Sequence, residues 1–252
     1  MESSVLSQQE IRRYQKLINL DKIGLEGAEK IKNASVLVIG AGALGAPVLQ
    51  YLTSLGVGII GILDNDIIEE KNLPGQILFG TKDLGKQKAI ISRDKLQQIN
   101  HLVKFNIHNI CLSPNNALGF CQEYDIIVDA TDNFTTKYLI NDACVILKKP
   151  WVYGACRDFE GSFTVFNGKT GPTLRCLYPE RPINRDNLSG NGEIGMLTGV
   201  TGSLLVSEVV KLLTNAGEIF TGQLCTFNLL NNQFSTIKIE TADENLKITS
   251  IF

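Results

Sequence analysis

Four groups of residues have the types and spacing to handle a phosphorylated ligand. Residues 36–45 read VLVIGAGALG, an apolar run followed at once by Gly40-x-Gly42-x-x-Gly45. Glycines at that spacing make a tight turn between a strand and a helix. Such a turn lets backbone N–H groups and the positive end of the helix approach a phosphate. Asp64 ends a second apolar run and stands roughly 20 residues on, where a dinucleotide fold keeps the acid that holds a ribose. It belongs to Asp64-Asn-Asp66, with Asn72 further along. The third group is Asp129-Ala-Thr-Asp132-Asn133, and the fourth is Lys88, between the second and third.

Taken alone, the glycine turn most often marks an NAD(P) or FAD site, and its blandest reading is a turn with no ligand. The surroundings favour ATP. A dehydrogenase needs a proton donor, and both histidines, His101 and His108, are expected outside the strand-end loops. An acid cluster facing the phosphates repels bare pyrophosphate but suits a divalent cation. Mg2+ takes one or two carboxylates together with phosphate oxygens. A lysine nearby balances charge on a triphosphate. The simpler alternatives are that Asp129 or Asp132 caps the helix that follows, and that Lys88 is a solvated surface residue.

Elements that could position these groups follow from the apolar pattern. Helices are expected over 8–19, 25–32, 47–55, 86–100, 115–121, 135–147 and 200–213, and strands over 36–39, 57–63, 103–107, 125–128 and 151–155. Residues 64–80 and 172–195 read as loops. The alternation predicts an α/β fold: a Rossmann-like, doubly wound and mainly parallel sheet. After Gly161 the strand formers of 162–166 and 224–239, with a turn at Asn231-Asn232, extend it by antiparallel strands in the C-terminal third. One domain is expected over 1–252, with N-terminal helices in 1–34 and a nucleotide-binding core in 35–160. The antiparallel extension, a crossover loop and the C-terminal helix fill 161–252.

Bulk properties exclude several classes. The 252 residues are 44% hydrophobic and 20% charged, as in an ordinary globular domain, and the net charge of −2 gives no nucleic-acid footprint. No apolar stretch stands out as a membrane span, and the first residues lack the core of a signal peptide, so a cytoplasmic protein is expected. Six cysteines include no C-x-x-C and only two histidines accompany them, so no zinc site is expected.

The ordered set Arg13-Tyr-Gln-Lys16, the glycine turn, Leu63-Asp-Asn-Asp66, Asn72-Leu73, Asp83-Leu-Gly-Lys-Gln-Lys88-Ala89, Asp129 to Asn133, Glu160-Gly161, Cys176-Leu-Tyr-Pro179 and Gly195-x-x-x-Gly199 resembles the MoeB/ThiF/HesA family of the ubiquitin-activating-enzyme superfamily, over nearly the whole chain. The resemblance implies an adenylyltransferase. It would activate the C-terminal carboxylate of a small sulfur-carrier protein ending Gly-Gly with MgATP, releasing pyrophosphate, for thiamine, molybdopterin or a related thio-cofactor. It further implies that Gly40, Gly42, Ala43 and Gly45 lie against the nucleotide and that Asp64, with Asp66 beside it, holds the ribose. Asn72 and Lys88 would contact phosphates, Asp132 would bind Mg2+ and Asn133 would lie next to it. Arg13 and Lys16 would reach the partner's ATP in a homodimer.

The chain departs from the family pattern in places. Lys16 stands for the second arginine of R-Y-x-R, and in Lys71-Asn-Leu-Pro-Gly75-Gln76 the family's arginine is Gly75. Losing a preorganised charged donor costs about 3–4 kcal/mol of transition-state stabilisation. Lys71, Lys82 and Lys86 are candidates to compensate. Thr173-Leu-Arg-Cys176 keeps only the second cysteine of the zinc-binding members, and residues 185–192 lack the cysteine that many members use in covalent steps. These departures leave open adenylation of a peptide or small-molecule carboxylate, and a non-catalytic carrier-binding subunit.

Overall fold

A computed structural model describes residues 6–168, 171–182 and 194–251. Three helices lead into the sheet: α1 (Gln8–Arg13), α2 (Gln15–Ile18) and α3 (Gly24–Asn33). Ser7 and Glu10 form a reciprocal capping box that starts α1. The single helix expected over 8–19 is broken at Tyr14, whose backbone leaves the helical region. Burial explains the break. The Tyr14 ring packs so closely over Gly56 that a Cβ there would lie 2.3 Å from it, and its hydroxyl accepts from Asn100 Nδ2 at 2.9 Å.

The core then alternates: β1 (Ser35–Ile39), α4 (Gly45–Leu55), β2 (Ile59–Leu63), α5 (Lys88–Ile99), β3 (Lys104–His108), α6 (Ala117–Gln122), β4 (Ile126–Asp129), α7 (Phe134–Leu147) and β5 (Trp151–Arg157). Next come β6 (Glu160–Phe166), α8 (Leu174–Leu177), α9 (Gly195–Thr214), β7 (Gln223–Asn228) and β8 (Gln233–Lys238). One eight-stranded sheet runs in the order β3-β2-β1-β4-β5-β6-β7-β8. It is parallel from β3 to β5 and antiparallel from β5 to β8. This is the expected sheet with its antiparallel extension.

The continuous apolar run of β1 reflects burial on both faces. Val36 and Val38 face the α4, α5 and α9 side, while Leu37 and Ile39 face α6 and α7. Burying each of these side chains contributes about 1.5–3 kcal/mol.

Two expectations need correction. The loop expected over 172–195 contains α8, and α9 begins at Gly195 rather than at 200; residues 183–193 lie outside the described ones. By length and composition α9 could cross a membrane, which the sequence reading missed. Here it packs on α4, β5 and β6, and Glu208 within it is buried, its Oε2 accepting the Phe220 N–H at 2.7 Å.

Candidate nucleotide site

Strand order reverses between β1 and β4, so the loops after these strands splay apart over a crevice. Gly40 follows β1 with φ +98°, a left-handed conformation that favours glycine, and a Cβ there would lie 2.6 Å from the Ala130 carbonyl oxygen. Gly45 is equally constrained, because its Cβ would meet the Gly40 carbonyl oxygen at 2.1 Å. Gly42 is different: the nearest atom to a Cβ there is Gln76 Nε2 at 3.8 Å. Two glycines therefore fold the turn, and the third keeps its surface open.

A cavity of about 390 Å³ opens at these strand ends. Gly40, Gly42, Ala43, Asp64, Asp66, Asn72, Lys88, Asp132 and Asn133 all line it. Gly45 lies behind the turn as the first residue of α4, whose N-terminus points the same way. Arg13 and Lys16 do not line it. Arg13 donates to the Ile99 carbonyl at the far end of α5, and Lys16 is exposed on α2.

Asp64 is held from both sides. Its Oδ2 accepts the Ala41 N–H at 2.7 Å, and its Oδ1 accepts the Asp66 N–H at 2.8 Å. Burial pushes its carboxyl above the usual range, while the two N–H donors and the Lys88 ammonium pull the other way. Lys88 is not the solvated residue of the simpler reading. It is 4% exposed at the start of α5, with Nζ 2.8 Å from the exposed Asp66 carboxylate.

The run after β4 divides its work. Asn133, not either aspartate, caps α7, its Oδ1 accepting the Thr136 N–H at 2.8 Å. Asp129 faces away from the cavity into a fully buried ion pair with Lys137 Nζ at 2.8 Å, and its other oxygen accepts from the N–H and hydroxyl of Thr131. Lys137 also donates to the Gly154 carbonyl at 2.9 Å and lies over the Tyr153 ring. This pair fixes the loop that carries Asp132 at the cavity. A single carboxylate there suits Mg2+, which completes its shell with phosphate oxygens and water.

Sequence reasoning missed Lys137, whose helical position gave no sign of burial, and Gln76. Gln76 is 7% exposed, lines the cavity, and its Oε1 has no hydrogen-bond partner. Gly75 beside it runs so close to the glycine turn that its Cβ would lie 3.3 Å from Ala43 Cβ. Lys71, Lys82 and Lys86 do not line the cavity, and Lys71 pairs with Glu69 at 2.8 Å. Cys176 is also remote: its sulfur accepts the backbone N–H groups of Thr173 and Ala242, each at 3.5 Å.

A second cavity of about 780 Å³ lies on the open face of the antiparallel strands, lined by Tyr153, Ser162, Leu224, Thr226 and Ile237 among others. Ala155 and Cys156 line both cavities.

The family model described as the ThiF family matches residues 14–248. The chain belongs to the ThiF family. Its relatives include the probable adenylyltransferase/sulfurtransferase MoeZ of Mycobacterium tuberculosis, 40% identical over 99% of this chain and 65% of MoeZ. The chain thus spans just under two thirds of that relative. The sulfur carrier protein adenylyltransferase of Thermus thermophilus is 40% identical over 92% of this chain and 89% of its own length. Among solved structures, E. coli MccB with ATP superposes with a TM-score of 0.81 at 20% identity, covering 96% of this chain and 74% of that one. At that identity the likeness is one of fold. The ThiF fold and the cavity at its switch point agree.

Proposed function

We propose that this ThiF family protein adenylates the C-terminal carboxylate of a small sulfur-carrier protein ending Gly-Gly, using MgATP, in the synthesis of thiamine, molybdopterin or a related thio-cofactor. The observation that carries the reading is the cavity that gathers Gly42, Asp64, Lys88 and Asp132 and meets a second groove at Ala155 and Cys156. A nucleotide in the first cavity and a carboxylate entering along the second would meet at that seam.

In this reading the carboxylate oxygen attacks the α-phosphorus, and the bond to the pyrophosphate oxygen breaks. The chain supplies position and charge rather than a covalent group. The turn over Gly40–Gly42 carries the phosphates, Asp64 accepts from the ribose hydroxyls, and Asn72 and Lys88 meet phosphate oxygens. Asp132 is the carboxylate that would hold Mg2+, which neutralises phosphate charge when bound.

A homodimer belongs to the same proposal. Tyr51, Ile77, Ile99, Met196 and Val200 are exposed and line, with others, an apolar groove of about 540 Å³; a second groove of about 830 Å³ continues it past Tyr51. Large exposed apolar patches mark interaction sites, and a second copy would cover this one. Arg13 sits at its edge through Ile99. That placement suits a residue offered to the partner's nucleotide.

Pyrophosphate exchange into ATP tests the reading. Exchange that requires a Gly-Gly-ending carrier supports it. Exchange with a short peptide instead would move the assignment to a peptide carboxylate. No exchange despite measurable MgATP binding would reject adenylation and leave a carrier-binding subunit.

A further inference from the structure

Asp129 and Lys137 are fully buried, ionisable and placed at the strand ends, yet the proposed chemistry gives them no task. The ladder between β4 and β5 stops at Asp129 and Tyr153. Gly154 is the first β5 residue beyond it, and there the Lys137 ammonium takes over. Its Nζ donates to Asp129 Oδ2 at 2.8 Å and to the Gly154 carbonyl at 2.9 Å, and lies 4.7 Å from the centre of the Tyr153 ring. An ammonium has three donors, and two acceptors and an aromatic face stand ready for them. One side chain of α7 thus ties β4 to β5 just where the strands part.

Something hangs on each side of that tie. On the β4 side, Asp129 Oδ1 accepts the Thr131 N–H at 2.9 Å and the Thr131 hydroxyl at 2.7 Å, which folds the turn leading to Asp132. The Ala130 carbonyl in this turn lies against Gly40, so the glycine turn rests on it. Ala130, Thr131 and Asp132 all line the strand-end cavity. On the β5 side, Ala155 and Cys156 follow Gly154 at once, and they line both cavities. A buried ion pair adds little net stability over apolar side chains of the same volume. What this one adds is a fixed spacing between the two sides.

We infer that Lys137 is a positioning residue for adenylation: its ammonium sets the spacing between the Asp132 turn and the β5 residues at the seam, and turnover depends on that spacing more than nucleotide binding does. The inference rests on the adenylation reading above. Lys137 lines neither cavity, so it acts through the groups it holds. Gly42, Asp64 and Lys88 lie on the β1 and β2 side of the crevice and keep their own supports without it. Affinity for the nucleotide should therefore survive its loss. Alignment of a carboxylate with the α-phosphorus should not, because a misplacement of about 1 Å costs about a hundredfold in rate.

The test compares the full chain with two variants, Lys137→Arg and the neutral pair Lys137→Met/Asp129→Asn. Each is melted in urea, titrated with MgATP by calorimetry, and assayed for pyrophosphate exchange with a ubiquitin-fold carrier protein ending Gly-Gly. The neutral pair is expected to fold and to bind MgATP within about threefold of the parent, with a maximal exchange rate about a hundredfold lower. Lys137→Arg keeps a charged donor for Asp129 and Gly154, so its exchange should stay within about tenfold of the parent even where its melting midpoint falls. Turnover would then follow the donors and not the stability. Full exchange in the neutral pair overturns this inference alone, as does a loss of MgATP affinity as large as the loss of rate. Should the neutral pair fail to fold, Lys137→Arg decides: a folded variant with a hundredfold loss overturns the inference, and near-parental exchange supports it. No exchange in the parent overturns the adenylation reading and this inference with it.

Discussion

Lys88 Nζ lies 2.8 Å from Asp66 Oδ2, the ammonium buried and the carboxylate in water. The Asp66 backbone carbonyl also accepts the Lys88 N–H at 2.9 Å, and its own N–H goes to Asp64. The end of β2 and the start of α5 are thereby tied into one unit, and the lysine is held at the cavity wall.

Lys88→Met is expected to lower pyrophosphate exchange by about two to three decades, the usual loss for one preorganised charged donor. It also removes a charge that draws the Asp64 carboxyl down. The acid limb of MgATP binding should therefore move to higher pH. Calorimetry across a pH series checks this, and an unmoved limb would separate the two residues.

The glycine turn yields a contrast. Gly45→Ala places a Cβ against the Gly40 carbonyl and should cost about 1–3 kcal/mol in urea melts. Gly42→Ala has room, so it should melt like the parent while its methyl group, facing the cavity, weakens MgATP binding. Equal stability losses in both variants would contradict the assignment of one glycine to folding and the other to the ligand.

The buried pair invites a double-mutant cycle. Lys137→Met leaves Asp129 charged and buried, which should cost about 3–5 kcal/mol. Adding Asp129→Asn removes that charge while keeping an acceptor for Thr131, so the double variant should regain most of the loss. Thermal or urea melts of the four proteins measure the coupling.

His108 closes β3, its Nε2 2.8 Å from the Tyr124 hydroxyl and its ring against Phe120. Burial depresses its folded pKa below 6.5, and Glu123 opposes this weakly. The unfolded chain then binds the proton more readily. Stability from this residue is full above about pH 6.5 and is lost as pH falls through the depressed folded value. His108→Gln should flatten that part of a urea-melt series, and a slope that survives the change would place the titrating group elsewhere.

Much of this was legible from the residues. Strand runs buried on both faces announce themselves as continuous Val, Ile and Leu, and turn glycines carry their own spacing. Most of the cavity residues from Gly40 to Asn133 were readable because the parallel topology brings strand ends together; Gln76, inside an irregular loop, was not. Three features were not. Tyr14 breaks an otherwise continuous helical pattern through contacts with Gly56 and Asn100, which are remote in sequence. Lys137 reads as a surface lysine, since nothing local reveals that Asp129, Gly154 and Tyr153 close around it. Leu174–Leu177 forms a helix too short to leave a periodic signal.

β5 is parallel to β4 on one side and antiparallel to β6 on the other. The change of direction separates two linings. The strand-end cavity is lined from the parallel part of the sheet and its loops, whereas the groove is lined from β5 to β8 together with Phe134 and Tyr178. Among the described residues only Ala155 and Cys156 line both. In the proposed reaction, substitutions on β6 to β8 would therefore reshape the groove that receives the carboxylate and leave the lining of the strand-end cavity in place. Two small side chains would then form the seam across which the two halves of that reaction meet.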